Sequence, residues 1–288
     1  MSGALFGGAQ VSAEGWPFRV DHLDAAALLA TVPDESVDLF LCDPAYPSLE
    51  KHRAVGTTTR LKVSDGSSNA WFEVMTWADL RRMLRGAYRV LRPERHAYVL
   101  CDDETACWVR REAWAVGFYV WPSLTWAKTA PGSGGAKLRI GMGYHYRQAS
   151  ERVVFLEKRG GRVPPTSVRG DGVEAVPLPW GSGRQLANLA IPNVLQVDVV
   201  SRDDSWPTEK PVELLEVLVR QSTEPGELVL DPCCGSGSAG EAALVSGRRV
   251  WLGDRSPEAV ERSLVRARMV HAAGPRFAWP ERWAPREG

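Results

Sequence analysis

The chain predicts an α/β fold built on a mostly parallel sheet, and three observations carry that expectation. Short apolar bursts of strand length alternate with longer stretches of helical period, the pattern of βαβ units. Two of the bursts end in an aspartate followed at once by turn residues, Asp43-Pro44 and Asp231-Pro232. The composition, 44% hydrophobic and 24% charged, is that of an ordinary globular protein and excludes disordered and collagen-like chains.

Taken in order, Val37 to Cys42 reads as a buried strand ending at Asp43. Thr76 caps a helix whose apolar face is Leu80, Met83, Leu84, Ala87, Val90 and Leu91, with Pro93 as its stop. His96 to Cys101 is the next strand, followed by a helix over 104–116 and strands at Phe118 to Ala127 and Arg152 to Leu156. From about 159 to 206 Gly, Pro and Ser recur without helical periodicity, and short segments such as Ile191 to Val200 stand between turns, which predicts an inserted lobe. Order returns with a helix entered through Pro207 to Pro211 and carrying Leu214, Leu215 and Leu218. The strand Glu227 to Asp231, a glycine turn, a helix ending at Gly247 and the strand Val250 to Asp254 follow. In the last helix Ser256 is the N-cap, Pro257 takes the first position, and Val260, Leu264 and Ala267 share a face.

At 288 residues the chain is near twice a typical domain of ~150. Thirty-five basic side chains balance thirty-five acidic ones, so any basic surface for nucleic acid must be local. No apolar run approaches the ~20 residues of a bilayer span, and the first 18 residues hold no Lys or Arg to begin a signal peptide, which predicts a cytoplasmic protein. Five cysteines without CxxC spacing, and histidines without an HxxxH pair, argue against a disulfide scaffold and against structural zinc.

Ligands of open α/β sheets bind outside the carboxyl ends of the strands, so the two aspartate-terminated strands are the candidate sites. In Asp231-Pro232-Cys233-Cys234-Gly235-Ser236-Gly237, two glycines allow a ligand to approach the backbone and leave helix N-terminal amides facing it. Asp254, 17 residues beyond Gly237 at the end of the next strand, stands where a carboxylate accepts from both hydroxyls of a ribose. Gly240 follows Gly237 at dinucleotide spacing, but a carboxylate at the strand end suits a cofactor with a positive centre and an amino group better than a pyrophosphate. S-adenosylmethionine is such a cofactor.

The second strand end, Asp43-Pro44-Ala45-Tyr46, resembles the catalytic motif of the DNA amino-methyltransferases, which is Asp, Asn or Ser, then Pro-Pro, then an aromatic residue. The resemblance implies that Asp43 and the Pro44 carbonyl each accept an amino hydrogen. The amine lone pair, otherwise delocalised into the base, is then aimed at the methyl sulfonium. Tyr46 would stack on the base once it is flipped from the duplex. Ala45 departs from the second proline and removes neither acceptor.

Further segments resemble the β arrangement of this family, in which the catalytic half precedes the cofactor half. Val20 to Leu23 with Pro33 to Asp38 resembles the lead-in, and makes Asp21 the carboxylate near the cofactor adenine. Arg89 to Pro93 is similar to "vLkPgG", with Glu94 and Arg95 in place of its glycines. Leu124 to Lys128 and Ser150-Glu151-Arg152 through Lys158 resemble "vW.K" and "hE.il...K". Pro207-Thr208-Glu209-Lys210-Pro211 resembles "hPTeKP", a loop closing on the methionine end of the cofactor, and Asp231 to Gly237 resembles "DPFcGSGT", with Cys233 where Phe is usual. The series spans about 20 to 260. It implies a Rossmann-like methyltransferase fold with a seven-stranded, mostly parallel sheet.

The cofactor residues expected on this basis are Asp21, Thr208, Lys210, Asp231, Cys233, Gly235, Ser236, Gly237 and Asp254. Pro232-Cys233 also matches the nucleophile pair of carbon-5 cytosine methylation, but the glycine turn behind it assigns it to the cofactor loop.

Residues 123–150 hold Lys128, Lys137, Arg139 and Arg147 without an acidic residue, and Lys51 and Arg53 lie in a second basic stretch after Asp43. Basic loops at the catalytic edge are expected to hold the phosphates of double-stranded DNA. Domain organisation follows as a catalytic half over 17–158, a target-recognition lobe over 159–206, a cofactor half over 207–274 and an irregular tail over 275–288. The resemblance also brings a homodimer and a cognate restriction nuclease into consideration as partners. Asp at the first motif position favours adenine N6. N4 of cytosine is the alternative, and a non-catalytic cofactor or nucleic-acid binding protein on the same fold is a rival of another class. A nicotinamide-dependent oxidoreductase is disfavoured.

Overall fold

Every residue of Val37–Cys42 is buried, as required of a strand covered on both faces. This segment is β2 of a nine-stranded sheet in the computed structural model, which describes residues 15–48, 74–140, 146–160, 184–201, 206 and 208–285. The other strands are β1 (Phe18–His22), β3 (Leu91–Cys101), β4 (Tyr119–Val120), β5 (Leu124–Thr129), β6 (Ser150–Lys158), β7 (Val194–Asp198), β8 (Leu228–Asp231) and β9 (Arg249–Asp254). Their order across the sheet is β1-β9-β8-β2-β3-β6-β5-β7, with β4 also paired to β6. Among these strands β6 alone runs against its neighbours β3, β4 and β5.

The mostly parallel α/β architecture is as expected, with two strands more than seven. The stretch expected as one strand from 118 to 127 is two pieces, β4 and β5, which pair with successive parts of β6 and are parted around Pro122. The other addition, β7, comes from the stretch assigned to the inserted lobe and lies parallel along β5. A third difference is the length of β3, which starts at Leu91 rather than His96. Its register against β2 shifts between Val37 and Leu39, and Glu94 takes φ 61°. A bulge there lets the strand run through Pro93, with Glu94 adopting the left-handed conformation at one of the two glycine positions of the family pattern.

Among the described residues six helices cover the sheet: α1 (Ala25–Thr31), α2 (Trp77–Val90) and α3 (Asp103–Val116) on one face, and α4 (Val212–Ser222), α5 (Ser238–Val245) and α6 (Pro257–Ala273) on the other. Leu28, Leu84 and Val109 fill the first interface, and Leu215, Ala242 and Val260 the second. The caps explain the starts. Thr76 and Asp79 form a reciprocal capping box at α2. Ser256 accepts from the Ala259 amide with Pro257 behind it at α6. Asp102 caps α3 by accepting from Thr105. Among the described residues no helix is long and apolar enough to cross a membrane.

The chain leaves β8 through α5 toward β9 on one side and leaves β2 by way of α2 toward β3 on the other. The connections therefore diverge between β8 and β2, which opens a crevice at the carboxyl ends of these strands. Asp38, 1% exposed, fixes the other end of the pair. Its carboxylate accepts from Arg92 at 2.5 Å, Arg95 at 3.3 Å and the Leu228 amide at 2.9 Å, joining β2 to β3 and β8. Asp38→Ala leaves that part-buried amide without its acceptor and takes from Arg92 and Arg95 the carboxylate they share. It is expected to lower the unfolding free energy by about 2–3 kcal/mol in urea denaturation; a change below about 0.5 kcal/mol, the size of an ordinary surface substitution, would count against the clamp.

Candidate active site

Strand register brings three carboxylates to the crevice. Leu39 lies opposite Val229 and Phe40 opposite Leu230, and Asp231 lies opposite Leu252. Extending the β2–β8 register sets Leu41 beside Asp231, so Asp43 and Asp254 stand two residues beyond it on the strands to either side. Side chains alternate along a strand, and Leu41, Val229 and Leu252 all belong to the core under α4, α5 and α6. Asp43, Asp231 and Asp254 share that parity and converge. Their charges interact: burial raises the pKa of Asp231 well above the usual carboxylate value, and both Asp43 and Asp254 raise it further against the one hydrogen bond from Cys233.

The Lys210 ammonium answers this negative charge at Asp43. Lys210 is 7% exposed and places Nζ 2.5 Å from Asp43 Oδ2, 3.3 Å from the Thr208 carbonyl and 3.5 Å from Glu151 Oε2. Burial would lower its pKa, yet Asp43 and Glu151 together raise it above the ordinary lysine value. Glu151 stands at the start of β6 because that strand is antiparallel, which brings its first residues to the carboxyl end of β3. Its Oε1 accepts from Lys128 Nζ at 2.5 Å, and the two lysines pull its pKa below normal against the effect of burial. Asp43 shifts the opposite way, raised by burial and by Glu151 against the pull of Lys210.

The Asp43-Pro44-Ala45-Tyr46 loop is fastened on both sides. Pro44 is buried, and the Ala45 carbonyl accepts from the Met75 amide at 2.8 Å. Ser48 donates to Asp102 at 2.6 Å and meets Thr105 at 2.9 Å, tying the loop to the start of α3. Tyr46 is half-buried against the α1–α3 core, and burial, then Glu151, Asp43 and Asp102, push its hydroxyl pKa up, so the phenol is neutral.

The glycine turn is braced by Asp254, which accepts from the Gly235 amide at 3.0 Å and the Ser256 amide at 2.9 Å. Each carboxylate oxygen keeps a second lone pair for a hydroxyl donor. Gly237 has φ 80°, and a Cβ there would fall 2.8 Å from Ser263 Cα, so both conformation and packing require glycine. Ser236 is buried with its hydroxyl 3.3 Å from that of Ser238, and Cys233 packs beside Cys42 under the turn. Arg266 joins this turn to the loop before α4, donating to Glu209 at 2.8 Å, to the Ser236 carbonyl at 3.1 Å and to Glu241 at 2.5 Å. Thr208, at φ 62°, turns the chain so that Lys210 points at Asp43.

Two of the expected residues meet partners within the protein. Asp21 is 2% exposed, and its Oδ2 accepts from Arg19 and Trp251 at 2.7 Å each. Lys128 lies in β5, not in a loop, and its ammonium is held by Glu151 beside the Trp126 ring, which makes it part of the charge network. Lys137 and Arg147 are exposed and Arg139 is half-exposed. The turn bearing Lys137 is pinned by Asp198, which accepts from Thr129, Ser133 and the Gly134 and Gly135 amides and is held below the usual carboxylate range by those bonds despite desolvation. Lys51, Arg53 and most of the 159–206 stretch lie outside the described residues.

Glu151, Asp102 and Arg266 went unassigned in the sequence. Glu151 had a signal in the "hE.il...K" resemblance, and Asp102 follows an apolar strand just as Asp43 does. Arg266 had none, since its partners lie 57, 30 and 25 residues away.

A family model described as DNA methylase, for the N6 and N4 enzymes, matches residues 37–265, and the chain belongs to that family. It is 26% identical to the DNA adenine methyltransferase YhdJ of Escherichia coli K12 over 242 residues, covering 79% of this chain and 75% of the relative. Type II methyltransferase M2.DpnII of Streptococcus pneumoniae is 23% identical over 236 residues, 79% of this chain and 81% of the relative. Among solved structures, M1.HpyAVI in its SAM complex superposes with a TM-score of 0.56 at 17% identity, covering 86% and 99% of the two chains. The PvuII cytosine-N4-specific DNA methyltransferase superposes at 0.55 and 16% identity, covering 88% and 90%. The fold is that of these enzymes.

Asp43 accepts hydrogen bonds at full strength only when ionised, so methyl transfer is lost as pH falls through its raised pKa. The acid limb of kcat/KM is expected above the ordinary carboxylate value of about 4. Lys210→Met removes the cation that lowers this pKa and is expected to move the limb to higher pH; a limb that stays in place would show that Lys210 does not act on Asp43 in the free enzyme.

Proposed function

We propose that this chain transfers a methyl group from S-adenosylmethionine to N6 of adenine in double-stranded DNA. The observation that carries this is the convergence of Asp43, Asp231 and Asp254 on one crevice, with the Lys210 ammonium paired to Asp43. A carboxylate as buried as Asp231, with a single backbone donor, favours a cationic ligand, because otherwise burial drives it to protonate. The donor set therefore fits a molecule carrying an amino group and a sulfonium. Asp254 would hold ribose hydroxyls, and Gly235, Ser236 and Gly237 would bring the turn close. Asp231, Cys233, Thr208 and Lys210 would line the methionine end.

When bound, S-adenosylmethionine supplies an electrophilic methyl group. The protein's part is to make the amine a nucleophile. Asp43 and the Pro44 carbonyl each accept one amino hydrogen, the nitrogen lone pair turns out of the ring plane, and Tyr46 holds the base by stacking. Asp43, with its raised pKa, is the acceptor for the proton shed once nitrogen is methylated. Lys137, Arg139 and Arg147, with Lys51 and Arg53, would hold phosphates, and the 159–206 stretch would read the target. Adenine is favoured by aspartate at the first motif position and by the name of the Escherichia coli relative, a DNA adenine methyltransferase.

Incubation with methyl-labelled cofactor and unmethylated genomic DNA, followed by nucleoside analysis, is expected to give label in N6-methyladenine; label in N4-methylcytosine alone would overturn the choice of base. In the same assay Asp43→Ala is expected to abolish transfer with cofactor affinity within about threefold of wild type. Asp254→Ala is expected to weaken cofactor binding roughly tenfold or more, the scale of a lost hydrogen bond to a charged group. The reverse pattern would assign the cofactor to Asp43 and the base to Asp254.

A further inference from the structure

Lys210 already gives Asp43 what a target amine would give it, an N–H donor 2.5 Å from Oδ2. An incoming amino group must displace that donor, and a buried ammonium cannot be left without a counter-charge. The structure shows where it can go. Glu151 Oε1 is bound to Lys128, while Glu151 Oε2 is buried, makes no hydrogen bond, and lies 3.5 Å from Lys210 Nζ as a longer ion pair.

We infer that Glu151 is a positioning residue that receives the Lys210 ammonium when the target amine takes its place on Asp43. The inference rests on the methyl-transfer function proposed above. Lys210 stands in for the substrate in the resting site and keeps Asp43 paired. As the base enters, Nζ shifts from Asp43 Oδ2 toward Glu151 Oε2. The ammonium remains paired throughout, and no proton needs to move. Lys128 fixes the receiving carboxylate, since its hold on Oε1 orients Oε2 toward Lys210. Glu151 touches neither base nor cofactor in this scheme, and its effect reaches the reaction only through Lys210.

That dependence makes the inference testable by a double-mutant cycle of Glu151→Gln and Lys210→Met, both close in size to the residues they replace. Initial rates of N6-methyladenine formation are measured against DNA concentration, with cofactor affinity measured separately by calorimetry. In the Lys210 background Glu151→Gln is expected to lower kcat/KM for DNA on the order of tenfold or more, the scale of coupling between directly interacting charged groups. Cofactor affinity is expected to stay within about twofold. In the Lys210→Met background, where no ammonium needs a receiver, Glu151→Gln is expected to change kcat/KM by less than about twofold. Equal losses in both backgrounds would overturn the inference, as would full activity of Glu151→Gln alone. Wild-type production of N6-methyladenine tests the function; the ratio of the two losses tests Glu151.

Discussion

Mutual repulsion of carboxylates is the constraint around which this molecule is arranged. Asp43, Asp231 and Asp254 lie at the ends of three adjacent strands, and burial there pushes Asp43 and Asp231 toward the neutral acid. The fold balances them with few groups. Backbone amides of Gly235 and Ser256 serve Asp254, the Cys233 amide serves Asp231, and the Lys210 ammonium serves Asp43. The balance is incomplete at Asp231, and a cationic ligand would complete it. Recognition of a positively charged cofactor and activation of an amine thus draw on the same charge distribution.

Holding such a cluster requires rigid surroundings, and these come from interactions distant in sequence. Asp38 locks β2 to β3 and β8 at the end opposite the site. Arg266, from the middle of α6, joins the loop that carries Lys210 to the glycine turn that carries the cofactor residues. Ser48 and Asp102 tie the Asp43 loop to α3. Each brace connects a catalytic or cofactor segment to an element of the other half of the sheet or to a covering helix, so the site is a property of the whole domain and not of its motifs alone.

Much of this was legible in the sequence where the signal was local. The strands ending at Asp43, Asp231 and Asp254 follow from apolar runs stopped by acidic residues, and the caps at Thr76 and Ser256 from spacing within one turn. What sequence patterns left out depends on strand pairing. Lys128 looked like one more charge in a basic loop, because nothing local says that β6 returns antiparallel and sets Glu151 next to it. Asp21 matched a position in a family pattern, while its bond from Trp251 comes from the parallel register of β1 and β9. The edge strand β7 was hidden in a stretch of turn residues because five residues of weak alternation gain their order from pairing with β5.

The most direct measurement is a crystal structure of the protein with S-adenosylmethionine bound. This account requires the cofactor in the crevice between β8 and β2, with its ribose on Asp254, its amino group toward Asp231 and its methyl group facing Asp43. A cofactor bound elsewhere, or one whose methyl group is walled off from Asp43, would contradict it.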